Sequence, residues 1–175
     1  SSRSTGSSLP FVTAEAFHGG FWDYNDLNTA TVPILVTGGA AAVGLTNDGL
    51  GPFTNKLHTP AGIADIWDAS INQFDWTGLS LGDMVDIRVD LSVTTSGPNT
   101  GVNLSLELGT GASTYLVPFD IESIKSTGLF SLNRYNGIYM GDNNTLDNGG
   151  RFVIEADGDL SVRVNGWYVK TILRG

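Results

Sequence analysis

The feature that most constrains the fold is a strict alternation of apolar and polar residues between positions 85 and 94. The apolar members are Val85, Ile87, Val89, Leu91 and Val93, and the polar members are Asp86, Arg88, Asp90, Ser92 and Thr94. Successive side chains of a β-strand point to opposite faces, so the pattern predicts a strand with one buried and one polar face. Such a strand needs neighbouring strands beside it and a second layer over its apolar face.

Several other segments carry the signals of strands and turns. Alternation places one set of side chains inward on each of two further strands: Val102, Leu104, Leu106 and Leu108, and then Tyr115, Val117, Phe119 and Ile121. Further strand candidates are residues 31–37, 130–140, 151–156, 160–164 and 167–174. The dipeptide Asp157-Gly158 between two of them predicts a β-hairpin. Residues 64–71 are the one plausible helical turn, and residues 142–150 read as a turn-rich loop.

Eight to ten strands in 175 residues predict an all-β fold, an antiparallel jelly-roll β-sandwich rather than a seven-stranded immunoglobulin-like domain. A β-propeller is disfavoured because the chain has no internal repeat. We divide the chain into a polar N-terminal arm, residues 1–10, and a jelly-roll domain, residues 11–175. Within that domain, residues 11–62 carry the weakest periodic pattern.

The composition narrows the range of partners. The formal net charge is −9, which disfavours nucleic acid and anionic membranes as ligands. Only 15% of the residues are charged, against about 25% in a typical soluble domain. This deficit favours a surface that is partly covered by a partner. Cysteine is absent, which excludes a disulfide framework and thiolate chemistry, and no motif for a cofactor is present.

Catalytic and metal sites have little support in the sequence. The two histidines, His18 and His58, lie in Gly- or Pro-rich contexts without a nucleophile elbow, so we expect no enzyme activity. The oxygen-rich loop offers one weak calcium candidate, formed by Asp142, Asn144 and Asp147. The same residue types are also the usual residues of turns, for backbone reasons alone.

Charged and aromatic side chains supply the remaining candidate sites. Asp86 and Asp90 are about 13 Å apart along the strand, with Arg88 between them, which favours an ion-pair ladder over a glycosidase pair. The ladder would be formed with adjacent strands or at a subunit interface. Tyr135 and Tyr139 form a candidate recognition edge. The four tryptophans, Trp22, Trp67, Trp76 and Trp167, fit either a sugar-stacking platform or a packed core.

Two segments carry a resemblance to a known group of proteins. Residues 71–95 (INQFDWTGLSLGDMVDIRVDLSVTT) and the C-terminal FVIEADGDLSVRV and WYVKTILRG resemble tailed-bacteriophage virion proteins. Those proteins carry trimeric jelly-roll domains akin to the tumour-necrosis-factor fold, in head fibres, capsid decoration proteins and fibre tips. The resemblance spans residues 63–175.

The resemblance implies a non-enzymatic structural protein that forms a homotrimer. Among its subclasses, a compact body with a short arm favours a capsid decoration (cement) protein over a fibre. The expected location is the outer capsid surface of a virion assembled in the host cytoplasm, with the major capsid protein as partner and Ser1, Ser2, Arg3 and Ser4 as capsid anchor. The alternative is a receptor-binding fibre tip or lectin-like domain that recognises a host-surface glycan.

Overall fold

The computed structural model describes residues 18–25, 29–46 and 53–174. Those residues form twelve strands and one short helix. The strands are β1 (Gly19–Asn25), β2 (Ile34–Val36), β3 (Val43–Gly44), β4 (Phe53–Asn55), β5 (Trp67–Asp68), β6 (Gln73–Phe74), β7 (Met84–Thr95), β8 (Thr100–Leu108), β9 (Tyr115–Ile124), β10 (Gly128–Tyr139), β11 (Gly150–Ala156) and β12 (Leu160–Ile172). The helix is α1 (Asn143–Asn148). No helix in these ranges has the length and apolarity that a membrane span requires.

The strands form two antiparallel sheets that pack face to face. Sheet I has the order β10-β7-β12-β1-β4, with β2 beside β12, and sheet II has the order β5-β6-β11-β8-β9, with β3 beside β11. Consecutive strands from β9 onward alternate between the sheets, and β12 inserts between β1 and β7. This strand order is that of a jelly-roll β-sandwich, as predicted.

The core lies between the two sheets and follows the alternation of their central strands. All five inward residues predicted on β7 are fully buried, and those of β8 are at most 2% exposed. Trp167 is at the centre of an aromatic cluster, with its ring stacked on Tyr24 at 5.0 Å and tilted against Trp67 at 5.1 Å. The four tryptophans are between 0% and 8% exposed. They therefore belong to the core, and the sugar-platform interpretation is wrong.

The predicted hairpin at Asp157-Gly158 is wrong. The strands on either side, β11 and β12, lie in different sheets. The turn therefore connects the two layers of the sandwich, and the two strands do not pair with each other. The Asp157 carboxylate accepts a hydrogen bond from the Gly101 amide at 2.7 Å, and that of Asp159 accepts one from Gly38 at 2.8 Å. A dipeptide specifies the local backbone turn, whereas the apolar faces of the flanking strands decide which sheet each one joins.

The predictions for two turn regions are also corrected. Residues 64–71 form no helix; they contain the short strand β5 and lead into β6. The expected loop at 142–150 contains α1, in which the Asp142 carboxylate caps the helix by accepting from the Thr145 amide at 2.8 Å. Aspartate favours this position because its oxygen satisfies an amide left without a partner in the first turn.

Two features of the strands were not evident from alternation. Strand β1 was not among the strand candidates, because its aromatic residues lie on both faces: Phe21 faces outward while Trp22 and Tyr24 are buried. On β9, Ile121 was expected to face the core but is 78% exposed. A bulge in the β8–β9 pairing, between Leu104 and Ser105, shifts the register by one residue.

Candidate functional site

The outward side of sheet I carries a regular ladder of polar and charged side chains. The β7 register places Arg88 opposite Tyr135 of β10 on one side and Tyr168 of β12 on the other. The next row places Asp86 between Gly137 and Lys170. We call the outward side chains of β1, β7, β10 and β12 the sheet I face.

The predicted interface residues make their ion pairs within this face. The Arg88 guanidinium donates to the Asp90 carboxylate at 3.1 Å. The second oxygen of Asp90 accepts from the Asn133 side-chain amide at 2.7 Å. The predicted triplet is thus brought together on one surface, and its carboxylates have partners on the same chain. Whether a second copy covers this surface remains a prediction.

Lys170 is a member of this network that the sequence did not single out. Its ammonium is 3.4 Å from the Asp86 carboxylate. The Tyr135 hydroxyl and then the Asp86 carboxylate stabilise the ammonium form, which raises the pKa of Lys170 above its ordinary value. Gly137, opposite Asp86, leaves room for this arrangement, since an added Cβ there would lie 2.6 Å from the carboxylate oxygen.

An aromatic band crosses the same face. The guanidinium carbon of Arg88 lies 5.5 Å from the centre of the Tyr168 ring, a cation–π distance. Tyr168 lies 5.5 Å from Phe21, and Phe21 lies 5.6 Å from His58. His58 thus packs at the end of an aromatic band, and the carbonyl of His18 accepts from the Leu173 amide.

The sheet I face is electrically balanced, although the chain has a net charge of −9. Its outward charged residues are three acids and three bases: Asp23, Asp86, Asp90, Arg88, Arg163 and Lys170. The excess negative charge of the chain therefore lies elsewhere. A balanced face among acidic surroundings can approach another copy of itself without net repulsion.

Apolar side chains are exposed at both ends of the sheet I face. One end carries the row Tyr139, Met84 and Ile172, which are 67%, 47% and 39% exposed. At the other end, Leu35 and Leu129 are 76% and 72% exposed. Tyr135, the other residue of the predicted recognition edge, is 55% exposed between these ends. The two tyrosines therefore lie on this face, separated by one row of the sheet.

Two residues of the oxygen-rich segment make hydrogen bonds that hold α1 in place. Besides the capping bond of Asp142, the Asn144 side-chain amide donates to the Ser113 carbonyl at 2.7 Å and accepts from the Ser113 amide at 3.4 Å. Asp147 is exposed on the helix. Across residues 18–25, 29–46 and 53–174, no group of three or more Asp, Glu or His side chains is placed to hold a metal ion.

Comparisons with known proteins give distant structural likenesses. No protein-family model matches the chain, and no curated protein matches it. The structure of Eiger TNF from S. frugiperda is similar at 9% identity and a TM-score of 0.39, covering 91% of this chain and 93% of that one. PRD1 vertex protein P5 is similar at 15% identity and a TM-score of 0.40, covering 91% and 99%.

The CBM22-1 xylan-binding domain from Paenibacillus barcinonensis Xyn10C is similar at 9% identity and a TM-score of 0.42, covering 91% of this chain and 99% of that one. Likenesses at these TM-scores carry no argument about function. The jelly-roll assignment rests on the strand order of the two sheets.

Proposed function

We propose that this chain is a structural virion protein that assembles into a homotrimer through the sheet I face and decorates the outside of a capsid. The observation that carries the proposal is the charge balance of that face in a chain with a net charge of −9. Identical copies of such a chain repel one another over most orientations. Association through a neutral face avoids that cost.

The internal ion pairs of the face support the same assignment. Burying a charge without a partner is costly, whereas a charge that keeps its partner and its hydrogen bonds loses less on leaving water. Asp90 keeps both Arg88 and Asn133, and Asp86 keeps Lys170. Met84 and Ile172 at one end and Leu35 and Leu129 at the other supply apolar area whose burial stabilises an assembly.

The three-fold state and the capsid come from the sequence resemblance. The role requires no catalysis, and we propose that the chain is not an enzyme. The proposed anchor, residues 1–4 within the arm 1–10, lies outside the described residues. Its proposed target is the major capsid protein on the outer surface of the particle, assembled in the host cytoplasm.

The first test is the mass of the purified chain in solution. Light scattering is expected to give three times 18.5 kDa at micromolar concentration. A monomer under those conditions would contradict the trimer and remove the argument from the sheet I face.

The second test uses capsids that lack the protein. Adding the full chain is expected to raise their resistance to heat or low salt, and a chain without residues 1–10 is expected to trimerise but not to bind. Capsids that are equally stable with and without the chain would refute decoration. Unchanged binding of the shortened chain would refute the anchor alone.

A further inference from the structure

We propose that the cleft between Tyr115 and Tyr139, at the open edge of the sandwich, is a binding site for a neutral carbohydrate. The strands β9 and β10 are edge strands of sheet II and sheet I, so no backbone ladder joins the two layers there. Side chains bridge them: Arg134 of β10 pairs with Asp120 and Glu122 of β9, and Asn136 donates to the Pro118 carbonyl. A cleft of about 350 Å³ opens between them, lined by the two tyrosines, Val117 and Asp142 among others. This volume lies at the lower end of the roughly 300–1,000 Å³ usual for small-molecule sites.

The wall on the β9 side is fixed before any ligand arrives. The Tyr115 hydroxyl is hydrogen-bonded to the Thr145 hydroxyl at 3.0 Å, and Thr145 is fully buried. Asn144 and Ser113 add the two bonds that tie the loop before β9 to α1. A wall held by α1 loses little freedom on binding, which favours affinity.

The wall on the β10 side is formed by Tyr139 and Asp142. The Tyr139 ring lies over Gly141, where an added Cβ would come within 2.7 Å of the ring, so the glycine makes this position accessible. The hydrogen bonds from the Thr145 amide and hydroxyl lower the pKa of Asp142, which keeps its carboxylate ionised. The cleft thus presents an ionised acceptor beside an exposed aromatic ring.

This combination fits the chemistry of a pyranose ring. Its C–H faces pack against aromatic rings, and its hydroxyl groups donate to a carboxylate in a charge-assisted hydrogen bond. Tyr115 and Tyr139 are 44% and 67% exposed, so both rings are open to a ligand. The side chains that line the cleft include no Lys, Arg or His. Anionic sugars are therefore disfavoured beside the carboxylate.

A small organic cation is the other ligand that a carboxylate and aromatic rings would attract. An aromatic cage requires several rings within about 6 Å of one cation. Tyr115 and Tyr139 belong to strands of different sheets and line the cleft from its two sides. Two rings on separate walls can pack against the two faces of a sugar ring, whereas a cation is bound best by rings that surround it.

The test begins with the full chain on an array of neutral oligosaccharides containing glucose, galactose, mannose or N-acetylhexosamines, with sialylated glycans included. The strongest neutral hit is then titrated by calorimetry, and choline is titrated in parallel. We expect a neutral glycan to bind. Binding of sialylated glycans or choline alone, or of nothing, would overturn the proposal.

Variants then place the binding in the cleft. Tyr139→Ala and Asp142→Asn are each expected to weaken the neutral hit roughly tenfold or more, since each removes one recognition element. Asparagine retains the helix cap, so this variant removes charge without removing the cap. The matched control is Ile121→Ala, an exposed apolar residue of β9 outside both the cleft and the sheet I face, with an expected change below about twofold.

A chemical-shift map of the unmodified chain gives a readout that does not depend on folding of a variant. The hit is expected to shift amide signals of residues 115–117 and 137–142. Shifts elsewhere, or equal loss of binding in Tyr139→Ala and Ile121→Ala, would overturn the assignment. The mass of each variant in solution is measured in parallel, so that a loss of glycan binding is distinguished from a loss of assembly.

Discussion

Replacing Arg88 by alanine distinguishes a subunit interface from an ordinary solvated surface. In the single chain, the Arg88 side chain is 49% exposed, 3.1 Å from the Asp90 carboxylate and 5.5 Å from the centre of the Tyr168 ring. An exposed ion pair contributes about 0–1 kcal/mol, and an exposed cation–π contact about 0.5–1 kcal/mol. The free energy of unfolding of an isolated domain is therefore expected to fall by no more than about 2 kcal/mol.

The same substitution costs more if a second copy covers the face. Asp90 would then be left in a desolvated interface with Asn133 but without its cation. Removing one partner of a buried pair costs about 3–5 kcal/mol, and each subunit of a trimer carries the loss. Association is therefore expected to weaken by a hundredfold or more, at about 1.4 kcal/mol per factor of ten.

Sedimentation equilibrium measures association, and urea unfolding at low concentration measures the single domain. The matched control is Arg151→Ala on sheet II, since Arg151 donates to Glu107 at the same 3.1 Å with its side chain 41% exposed. We expect Arg88→Ala to dissociate the trimer and Arg151→Ala to leave it intact. Equal association constants for the two variants would refute the interface at Arg88.

Three further predictions concern stability. Trp167→Ala is expected to lower the free energy of unfolding by about 3–5 kcal/mol in urea, because it empties the centre of the aromatic core. Thr29→Val is expected to cost about 1–3 kcal/mol in the same assay, since the buried hydroxyl bonds both backbone groups of Val164 at the β12 bulge. The pKa of Asp142 is lowered from its ordinary 3.8. Its contribution to stability should therefore be full above that value and lost as the pH falls through the folded pKa, so titrated wild-type and Asp142→Asn stabilities should converge in acid.

The sequence was most informative where alternation was clean and local. On β7 and β8, one strictly repeated period coincides with complete burial of the inward set. On β1, aromatic residues lie on both faces, so hydrophobicity alone does not reveal the period. Whether Phe21 or Trp22 is buried depends on pairing with β12, which lies about 150 residues further along the chain.

Non-local pairing also explains what was missed at the candidate site. Alternation on β7 identified Asp86, Arg88 and Asp90 as an outward set. It gave no means of placing Lys170 beside Asp86, because that contact depends on the β7–β12 register. Trp167 and Val169 alternate with Tyr168 and Lys170, so the pattern could have marked Tyr168 and Lys170 as outward. It could not have shown which residues of other strands lie beside them.

The cleft was harder to anticipate than the face. Tyr115 and Tyr139 belong to strands of different sheets, and no period along either strand relates them. Their proximity follows from the open edge between β9 and β10, together with the hydrogen bonds that α1 makes to the start of β9. Of the residues that suggested a calcium loop in sequence, Asn144 forms part of that brace and Asp142 caps α1, whereas Asp147 is exposed.

The ion pairs within the sheet I face also affect how specific its association with other copies would be. Charged groups that already have partners on the same chain leave few donors or acceptors for bonds to a second copy. The central rows could therefore be buried in an interface, but they would not determine which surface binds there. Selection then falls to the apolar rows at the two ends, Met84 with Ile172 and Leu35 with Leu129. Because these rows are separated by the whole width of the charged region, only a copy that meets both at once gains their full area.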